Sequence, residues 1–327
     1  MGEVKEILKL KPQGKGYLWG GNRLKREYQK EFTGEILAET WELSCHQDGP
    51  STITNGVFAG KTLVEYIQTK GHGILGENCK HFREFPILIK FIDARQDLSV
   101  QVHPDDSYAW IHEHQYGKTE MWYIMDCDTD AYLYYGLKDE ISKEEFAKKI
   151  KDNTLLDILN KVSIRPGDVF FIEAGTIHAI GKNTLIAEIQ QNSNVTYRVY
   201  DFDRKGADGK RRELHINQAL EVTTLAAVKK KAVTNHLAYC KYFTVDKITL
   251  NGKESRCLSG EVGKDTFVSI LVLSGTGKLM DNNGAIHYSK GDSFFLPAEL
   301  GVYQIAGNGE FLLTYVAAAA VSKKRID

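Results

Sequence analysis

Short hydrophobic runs recur along the chain, separated by turn-forming residues. Runs rich in Val, Ile, Phe, Tyr and Leu are bounded by Gly, Asn, Asp or Pro at a spacing of roughly 8 to 12 residues. The clearest predicted strands cover residues 85–92, 121–125, 169–172, 185–189 and 267–273. This spacing favours a mainly β protein with a sandwich or barrel architecture.

Helical patterns are fewer and short. Ser142 followed by Glu145 is a capping-box signature, and the apolar positions beyond it, Phe146 and Ile150 among them, form one stripe. Asn153 is a potential break in this segment. Further helices are predicted over residues 63–69 and 217–225.

An internal repeat organises the chain. Residues 165–174 align without gaps with residues 289–298, each reading as a Gly-Asp turn that leads into a strand. The alignment places Val302 opposite His178, and Ser269 opposite Glu120. Chance recurrence of Gly-Asp beside apolar residues is the alternative. The repeat predicts a catalytic module over 1–235, with the metal site and short helices, and a second module over 236–327 without metal ligands.

Composition narrows the class of protein. The 327 residues carry 42 Lys and Arg against 43 Asp and Glu, and the short basic runs at 229–231 and 323–325 read as solvated faces. We therefore expect neither nucleic acid nor a membrane as a partner. Five scattered cysteines, a charged start without an apolar signal core, and no run approaching the roughly 20 apolar residues of a membrane span predict a cytoplasmic protein.

Scattered polar residues within these strands suggest a metal site. In an extended segment Ser99, Gln101 and His103 point to one face, while Glu120 opens a second strand and His178 follows a third. Two imidazoles, a carboxylate and an amide oxygen suit zinc, and also iron, cobalt or manganese. Taken singly, each histidine is more often a core or surface residue, so the prediction depends on the joint pattern.

These residues also carry a resemblance to a known family. The Gly-Asp-x-Phe-Phe turn with Ala174-Gly175-Thr176-Ile177-His178 resembles the second cupin motif. Together with Gln101-x-His103-Pro104 and Gly117-Lys118-Thr119-Glu120, it resembles type I mannose-6-phosphate isomerases in their short bacterial form. The resemblance spans roughly residues 17 to 225 and implies two cupin-type β-barrel or jelly-roll modules.

The resemblance implies roles for individual residues. It places the ligands of one zinc ion at Gln101, His103, Glu120 and His178, the catalytic arginine at Arg198, and substrate contacts at Ser99 and Lys118. Members of the family usually have Asp where this chain has Asn194, which keeps an acceptor but loses the charge. Glu173 replaces a usual proline, which concerns the turn more than the chemistry.

The implied reaction interconverts mannose 6-phosphate and fructose 6-phosphate through an enediol or enediolate. A Lewis-acid cation and a fixed guanidinium, here Arg198, would stabilise the developing negative charge. Lys118, a candidate catalytic and substrate-binding residue, would meet a phosphate or a sugar hydroxyl, and Ser99 would meet the phosphate. The alternatives are a solvated lysine and a buried capping serine.

The remaining expectations are less specific. Glu188 is the candidate base, with an exposed strand glutamate as the alternative, and Trp19, Trp41 and Tyr197 are candidate pocket aromatics or core residues. Two other functions stay open: a mononuclear iron cupin oxygenase, since two His and one carboxylate also form a facial triad, and a non-catalytic sugar-phosphate-binding cupin. No residue determines the oligomeric state.

Overall fold

The computed structural model describes residues 5–206, 209–228, 236–251 and 257–318. The first ten strands are β1 (Leu8–Lys11), β2 (Gln13–Lys15), β3 (Glu39–Leu43), β4 (Thr52–Ile53), β5 (Ile87–Ala94), β6 (Val100–Val102), β7 (Glu120–Cys127), β8 (Tyr132–Leu137), β9 (Leu159–Ser163) and β10 (Val169–Ile172). The others are β11 (His178–Ile180), β12 (Thr184–Gln191), β13 (Tyr197–Tyr200), β14 (Ala238–Tyr239), β15 (Thr244–Leu250), β16 (Cys257–Val262), β17 (Val268–Asp281), β18 (Gly284–Ser289), β19 (Ser293–Leu296) and β20 (Gly301–Tyr315).

Helices are short. The α-helices are α1 (Arg23–Tyr28), α2 (Leu63–Lys70), α3 (Asp106–His112), α4 (Lys143–Lys151) and α5 (Ile216–Val222). The 3₁₀ helices are Gly56–Phe58, His72–Leu75, Glu77–Cys79 and Leu155–Ile158. The prediction of a mainly β fold with a few short helices is confirmed.

Two compact units are interleaved along the chain. One comprises Met1–Pro12, Glu42–Ile87 and Thr234–Asp327, and the other comprises Gln13–Trp41 and Leu88–Val233. The strands of the amino-terminal third are thus divided between the two units, so no single boundary in the chain separates them. The assignment of catalytic chemistry to residues 1–235, and of a module without metal ligands to residues 236–327, stays a prediction.

The unit around residues 88–233 contains a six-stranded sheet, in the order β10-β7-β12-β5-β3-β2, and a five-stranded sheet, in the order β13-β6-β11-β8-β9. Alternate residues of these strands point inward, so Trp122, Phe170 and Leu133 share one core. On β8, Tyr134 points the other way, into a second core that includes Phe146 of α4 and Ala219 of α5. The helices therefore cover the outer face of the five-stranded sheet, and side chains of its inner face form the other core.

The other unit is built on one nine-stranded sheet. Its main path is β14-β15-β20-β17-β19-β1-β4, while β16 pairs with β20 and β18 pairs with β17. Ile270, Val272 and Phe294 form its core with other apolar side chains of these strands. Helix α2 begins at a reciprocal capping box, in which the Thr62 hydroxyl accepts from the Glu65 N–H at 3.2 Å and the Glu65 carboxylate accepts from the Thr62 N–H at 2.8 Å.

The predicted elements correspond to observed ones. The strand predicted over 169–172 is β10, and the four others lie within or beside β5, β7, β12 and β17. Ser142 caps α4 by accepting from the Glu145 N–H at 3.1 Å. Asn153, with φ at 57°, ends this segment before the 3₁₀ turn. The predicted helices over 63–69 and 217–225 correspond to α2 and α5.

The internal repeat appears as two turns of the same geometry. Gly167 and Gly291 have φ values of +92° and +93°, a region that favours glycine. The following aspartates, Asp168 and Asp292, accept from the N–H three residues earlier, at 3.0 and 2.8 Å. The backbone carbonyl of Asp168 accepts from the Ile124 N–H, and that of Asp292 accepts from the Val272 N–H, each at 2.9 Å. The aligned segments therefore fold alike.

Strand register extends the repeat and corrects one pairing. Ile172 pairs with Glu120 on β7, and its counterpart Leu296 pairs with Val268 on β17. Val268, and not Ser269, therefore corresponds to Glu120. The prediction was one residue out because an alignment of apolar residues alone does not determine strand register, and a slip of one residue turns a side chain to the other face.

The remaining ligand positions follow from the same register. His178 pairs with Gln101, as Val302 pairs with Glu261. Gly175 donates its N–H to the His103 carbonyl, as Glu299 donates to the Gly263 carbonyl. The second module thus has Glu261, Gly263, Val268 and Val302 at the positions of Gln101, His103, Glu120 and His178.

One prediction concerns segments beyond the described ranges. The basic runs at 229–231 and 323–325 lie outside the described residues. Within the described part of the chain, every helix is too short or too polar to cross a bilayer.

Candidate active site

Three buried side chains converge on one point inside the unit formed by residues 13–41 and 88–233. His103, Glu120 and His178 are at most 1 % exposed, and one ligand atom from each lies within 4.8 Å of the others. Glu120 opens β7, His178 opens β11, and His103 follows β6. In the described part of the chain this is the one cluster of three or more His, Cys, Asp or Glu residues with metal-binding geometry.

The backbone orients both imidazoles in the same way. Nδ1 of His103 donates to the Val195 carbonyl at 2.8 Å, and Nδ1 of His178 donates to the Thr176 carbonyl at 2.8 Å. Such carbonyl acceptors fix the tautomer and leave the Nε2 lone pair directed at the centre, as is usual for metal-bound histidines. Burial lowers the pKa of His178 to about 4 and that of His103 well below its ordinary value. Both rings are therefore neutral near pH 7.

Glu120 completes a set that fits a divalent cation. Its Oε1 is buried without a hydrogen-bond partner and lies 3.3 Å from Nε2 of His178. A carboxylate oxygen and an imidazole lone pair repel each other at this distance unless a proton or a metal cation lies between them, and burial raises the pKa of Glu120 to about 7. Two neutral imidazoles and a carboxylate are a donor set for zinc or iron.

Gln101 and Lys118 stand beside this trio. The Gln101 amide lies with Nε2 3.4 Å from Nε2 of His178, so a half-turn of the amide would present its oxygen there. The Lys118 ammonium forms an ion pair with Glu120 and lies 3.1 Å from Nε2 of His103. Lys118 therefore supplies positive charge at the metal-ligand end of the site.

Local packing explains why glycine precedes Lys118. A Cβ on Gly117 would lie 2.4 Å from the backbone carbon of Asp105. This close approach lets the Lys118 N–H donate to the Pro104 carbonyl at 3.0 Å, while the Thr119 N–H donates to Oε1 of Gln191 at 2.8 Å. The segment after His103 is thus tied to the segment that carries Lys118 and Glu120.

A cavity of about 300 Å³ opens onto this region. The predicted residues on its wall are Trp19, Ser99, Gln101, Lys118, Glu188 and Arg198. Thr196 and Arg198 face it, whereas Val195, Tyr197 and Val199 of the same segment join a core. The alternation predicted for this strand is therefore observed.

Two predicted pocket aromatics lie elsewhere. Trp41 is fully buried and donates to Oε2 of Glu39 at 2.9 Å, and Tyr197 donates its hydroxyl to Oε1 of Glu113 at 2.7 Å. Neither lines the cavity. They serve as core residues, the alternative that the sequence left open.

Glu188 is buried and held by three groups. Its Oε1 accepts from the Trp122 indole at 3.0 Å and lies 3.9 Å from the Lys118 ammonium, while Oε2 lies 3.2 Å from Lys90. Burial alone would raise the pKa of Glu188, but the charges of Lys118 and Lys90 hold it well below its usual range. Glu188 is therefore a buried carboxylate, and the reading of an exposed strand glutamate is wrong.

Sequence reasoning overlooked three charged residues on the cavity wall. Lys90 lies 3.2 Å from Glu188 and 3.8 Å from Glu39, and Arg212 lines the same cavity. A single lysine in the apolar run Ile87-Leu88-Ile89-Lys90-Phe91 was a usable signal, because an unpaired charge inside a buried strand is costly. Glu39 and Arg212 lie within the span of the family resemblance, which assigned neither of them a role.

Arg198 faces the cavity without a carboxylate of its own. Its Nε donates to the Ser99 hydroxyl at 3.3 Å and its Nη1 to the Glu213 carbonyl at 3.0 Å. Burial and the nearby charge of Arg212 lower its pKa. Since arginine remains protonated in proteins, a positive charge is available there for a negatively charged ligand.

Comparison with known proteins agrees with this geometry. Residues 7–147 match the family model for the catalytic domain of type I phosphomannose isomerase, and residues 232–316 match that for the cupin domain of mannose-6-phosphate isomerase. The mannose-6-phosphate isomerase ManA of Bacillus subtilis is 38% identical over 95% of this chain and 99% of its own length. The mannose-6-phosphate isomerase of Streptococcus mutans is 36% identical over 95% of this chain and 98% of its own.

A solved structure shares the fold at similar coverage. The mannose 6-phosphate isomerase of Bacillus subtilis superposes with a TM-score of 0.86 at 33% identity, covering 95% of this chain and 99% of that one. The resemblance predicted from the motifs is confirmed. The chain belongs to the type I phosphomannose isomerase family.

Proposed function

We propose that this protein is a zinc-dependent isomerase that interconverts mannose 6-phosphate and fructose 6-phosphate through an enediolate. The observation that carries the proposal is the convergence of His103, Glu120 and His178 beside a cavity whose wall includes Lys118, Glu188 and Arg198. The substrate and the reaction are those in the names of its relatives. One zinc ion per chain, a sugar-phosphate ligand and a cytoplasmic location complete the proposal. All five cysteines are free thiols, as a reducing compartment would require.

Four side chains would hold the ion. His103, Glu120 and His178 supply the lone pairs, and Gln101 would join them through its amide oxygen. When bound, the ion would act as a Lewis acid on the sugar oxygens at C1 and C2.

Arg198 would stabilise the intermediate. Aldose–ketose interconversion moves a proton between C1 and C2 while negative charge develops on the neighbouring oxygens. A guanidinium fixed by Ser99 and by the Glu213 carbonyl needs little reorganisation as that charge appears. Arg198 also lies opposite Gln101 in the register of β13 and β6, which places it next to the ligand set.

Glu188 would move the proton. It lines the cavity and is ionised, so it can accept a proton from one carbon and return it to the other. Lys118, held at the metal-ligand end by Glu120, would meet a sugar hydroxyl there. Ser99 would contact the substrate beside Arg198.

Metal analysis combined with an isomerase assay tests the proposal. Purified protein is expected to contain zinc and to convert mannose 6-phosphate. His178→Ala should lose both the zinc and the turnover, whereas His287→Ala, an exposed histidine of the other unit, should retain both. A His178→Ala protein with full zinc and activity would show that the ligand set is wrong.

Two outcomes would favour other functions. Oxygen consumption dependent on added Fe(II), without isomerisation, would indicate an oxygenase built on the same two histidines and carboxylate. Binding of mannose 6-phosphate by zinc-loaded protein without turnover would indicate a non-catalytic binding module, with Asn194 as the first residue to restore to Asp.

A further inference from the structure

Three arginines lie near the Asp201 carboxylate, and two of them bond to it. Asp201 accepts from Nη2 of Arg204 at 2.5 Å, and from Nε and Nη2 of Arg212 at 2.8 and 2.6 Å. Arg198, whose pKa is lowered in part by the charge of Arg212, forms no ion pair with a carboxylate among the described residues. This cluster therefore has more positive than negative charge.

The two arginines bound to Asp201 face different spaces. Arg204 donates Nη1 to the Asp97 carbonyl and lines only a smaller neighbouring cavity of about 160 Å³. Arg212 lines that space and also the 300 Å³ cavity that Arg198 and Lys118 share. Within the described chain its Nη1 has no hydrogen-bond partner, so Asp201 fixes the guanidinium while one edge stays available to a ligand.

The other two cations of the cavity are already balanced by carboxylates. Lys90 lies between Glu39 and Glu188, and Lys118 is paired with Glu120. The uncompensated charge of the wall is thus concentrated at Arg198 and Arg212. A dianion entering the cavity gains most at that end, because a guanidinium can form two parallel hydrogen bonds to phosphate oxygens.

We propose that Arg212, oriented by Asp201, binds the phosphate group of the substrate and selects phosphorylated sugars. The inference rests on the proposed function for the identity of the sugar phosphate. It assigns the phosphate to Arg212 and not to Lys118, which the sequence had offered as a contact for a phosphate or a sugar hydroxyl. Arg212 is thus a substrate-binding residue, and Asp201 is its positioning residue.

Arg212→Met, with Arg204→Met as the matched control, tests the assignment. Both variants remove one arginine from Asp201, but only the first removes a guanidinium from the substrate cavity. We expect Arg212→Met to raise KM for mannose 6-phosphate by about 10- to 100-fold, the range for a lost charge-assisted hydrogen bond, with kcat within a few-fold. Inhibition by inorganic phosphate should weaken to a similar extent, and Arg212→Lys should recover part of both effects.

The outcomes separate this inference from the proposed function. Calorimetric titration of each protein with inorganic phosphate measures the affinity of the anion site, whether or not the enzyme turns over. A wild-type protein that binds phosphate through Arg212 but converts no sugar would refute the function and support the anion site. The inference would be overturned if Arg212→Met left KM and phosphate affinity unchanged. It would also be overturned if Arg204→Met changed both quantities to the same extent as Arg212→Met. If Arg212→Met does not give the wild-type circular dichroism spectrum, Arg212→Lys carries the same comparison.

Discussion

Replacing Lys90 by Met should destabilise the protein strongly, because it leaves two carboxylates inside the fold without their shared partner. The Lys90 ammonium lies 3.2 Å from Glu188 and 3.8 Å from Glu39, and its side chain is only 6% exposed. At an effective dielectric constant of about 20, the two attractions are about 5 and about 4 kcal/mol. Burial of the ammonium costs several kcal/mol and offsets part of this sum. Removal of one partner from such a buried arrangement typically costs about 3–5 kcal/mol, which is our expected loss.

Urea unfolding followed by circular dichroism measures this loss. Lys61→Met is the matched control: Lys61 also lies 3.2 Å from a glutamate, Glu65, but its side chain is 60% exposed, so a change of at most about 0.5 kcal/mol is expected. The double variant Lys90→Met/Glu188→Gln should regain part of the stability, because one stranded carboxylate no longer carries a charge. A loss below about 1 kcal/mol for Lys90→Met would refute the view that Lys90 balances these carboxylates.

Three further predictions follow from the site and the repeat. Glu188→Gln should lower kcat for mannose 6-phosphate by about 10²- to 10⁴-fold, while KM stays within a few-fold. A wild-type kcat for this variant in a steady-state assay would show that Glu188 is not the base. Gly167→Ala and Gly291→Ala should each lower the free energy of unfolding in urea by about 1–3 kcal/mol, because both glycines have φ near +90°; a loss at only one of them would mean that the two turns are not equivalent. Burial alone would raise the pKa of Asp201, but its two arginine partners outweigh burial and lower this pKa below its usual range. The ionised carboxylate therefore stabilises the fold above the unfolded pKa of about 3.9, and this stabilisation is lost as pH falls through the lower folded pKa. Asp201→Asn should therefore lose less stability than wild type between about pH 5 and about pH 2, and equal losses in urea titrations at both values would contradict this.

Much of the site could be predicted because its residues obey strand alternation. Gln101 and His103 are two apart beside β6, and Thr196 and Arg198 are two apart at β13, so each pair projects to one face whatever the neighbouring strands do. The Gly-Asp turn of the repeat was equally local, since Asp168 and Arg165 bond to each other within one four-residue turn. Patterns within one strand or one turn are therefore readable without tertiary information.

Contacts between segments that are distant in the chain were harder to predict from the sequence. Lys90 joins Glu39 and Glu188, which are 149 residues apart in the chain, and only the order β12-β5-β3 brings all three together. The register of β17 against β19 gave Val268 as the counterpart of Glu120, where sequence alignment had placed Ser269. Both results depend on which strands pair and at what offset, and neither is a property of any one segment.

The sequence by itself determined the strand-rich fold, the two related turns, the family and the four candidate metal ligands, because each depends on local spacing or on a motif of adjacent residues. Only the tertiary structure decided that Glu120, His103 and His178 converge, and that carboxylates balance the charges of Lys90 and Lys118. It also decided that Arg198 and Arg212 face the cavity with positive charge that carboxylates do not fully balance. The physical reason is that the energy of a charge inside a protein depends on what surrounds it in space. Strand pairing, which joins residues up to about 150 positions apart here, establishes those surroundings.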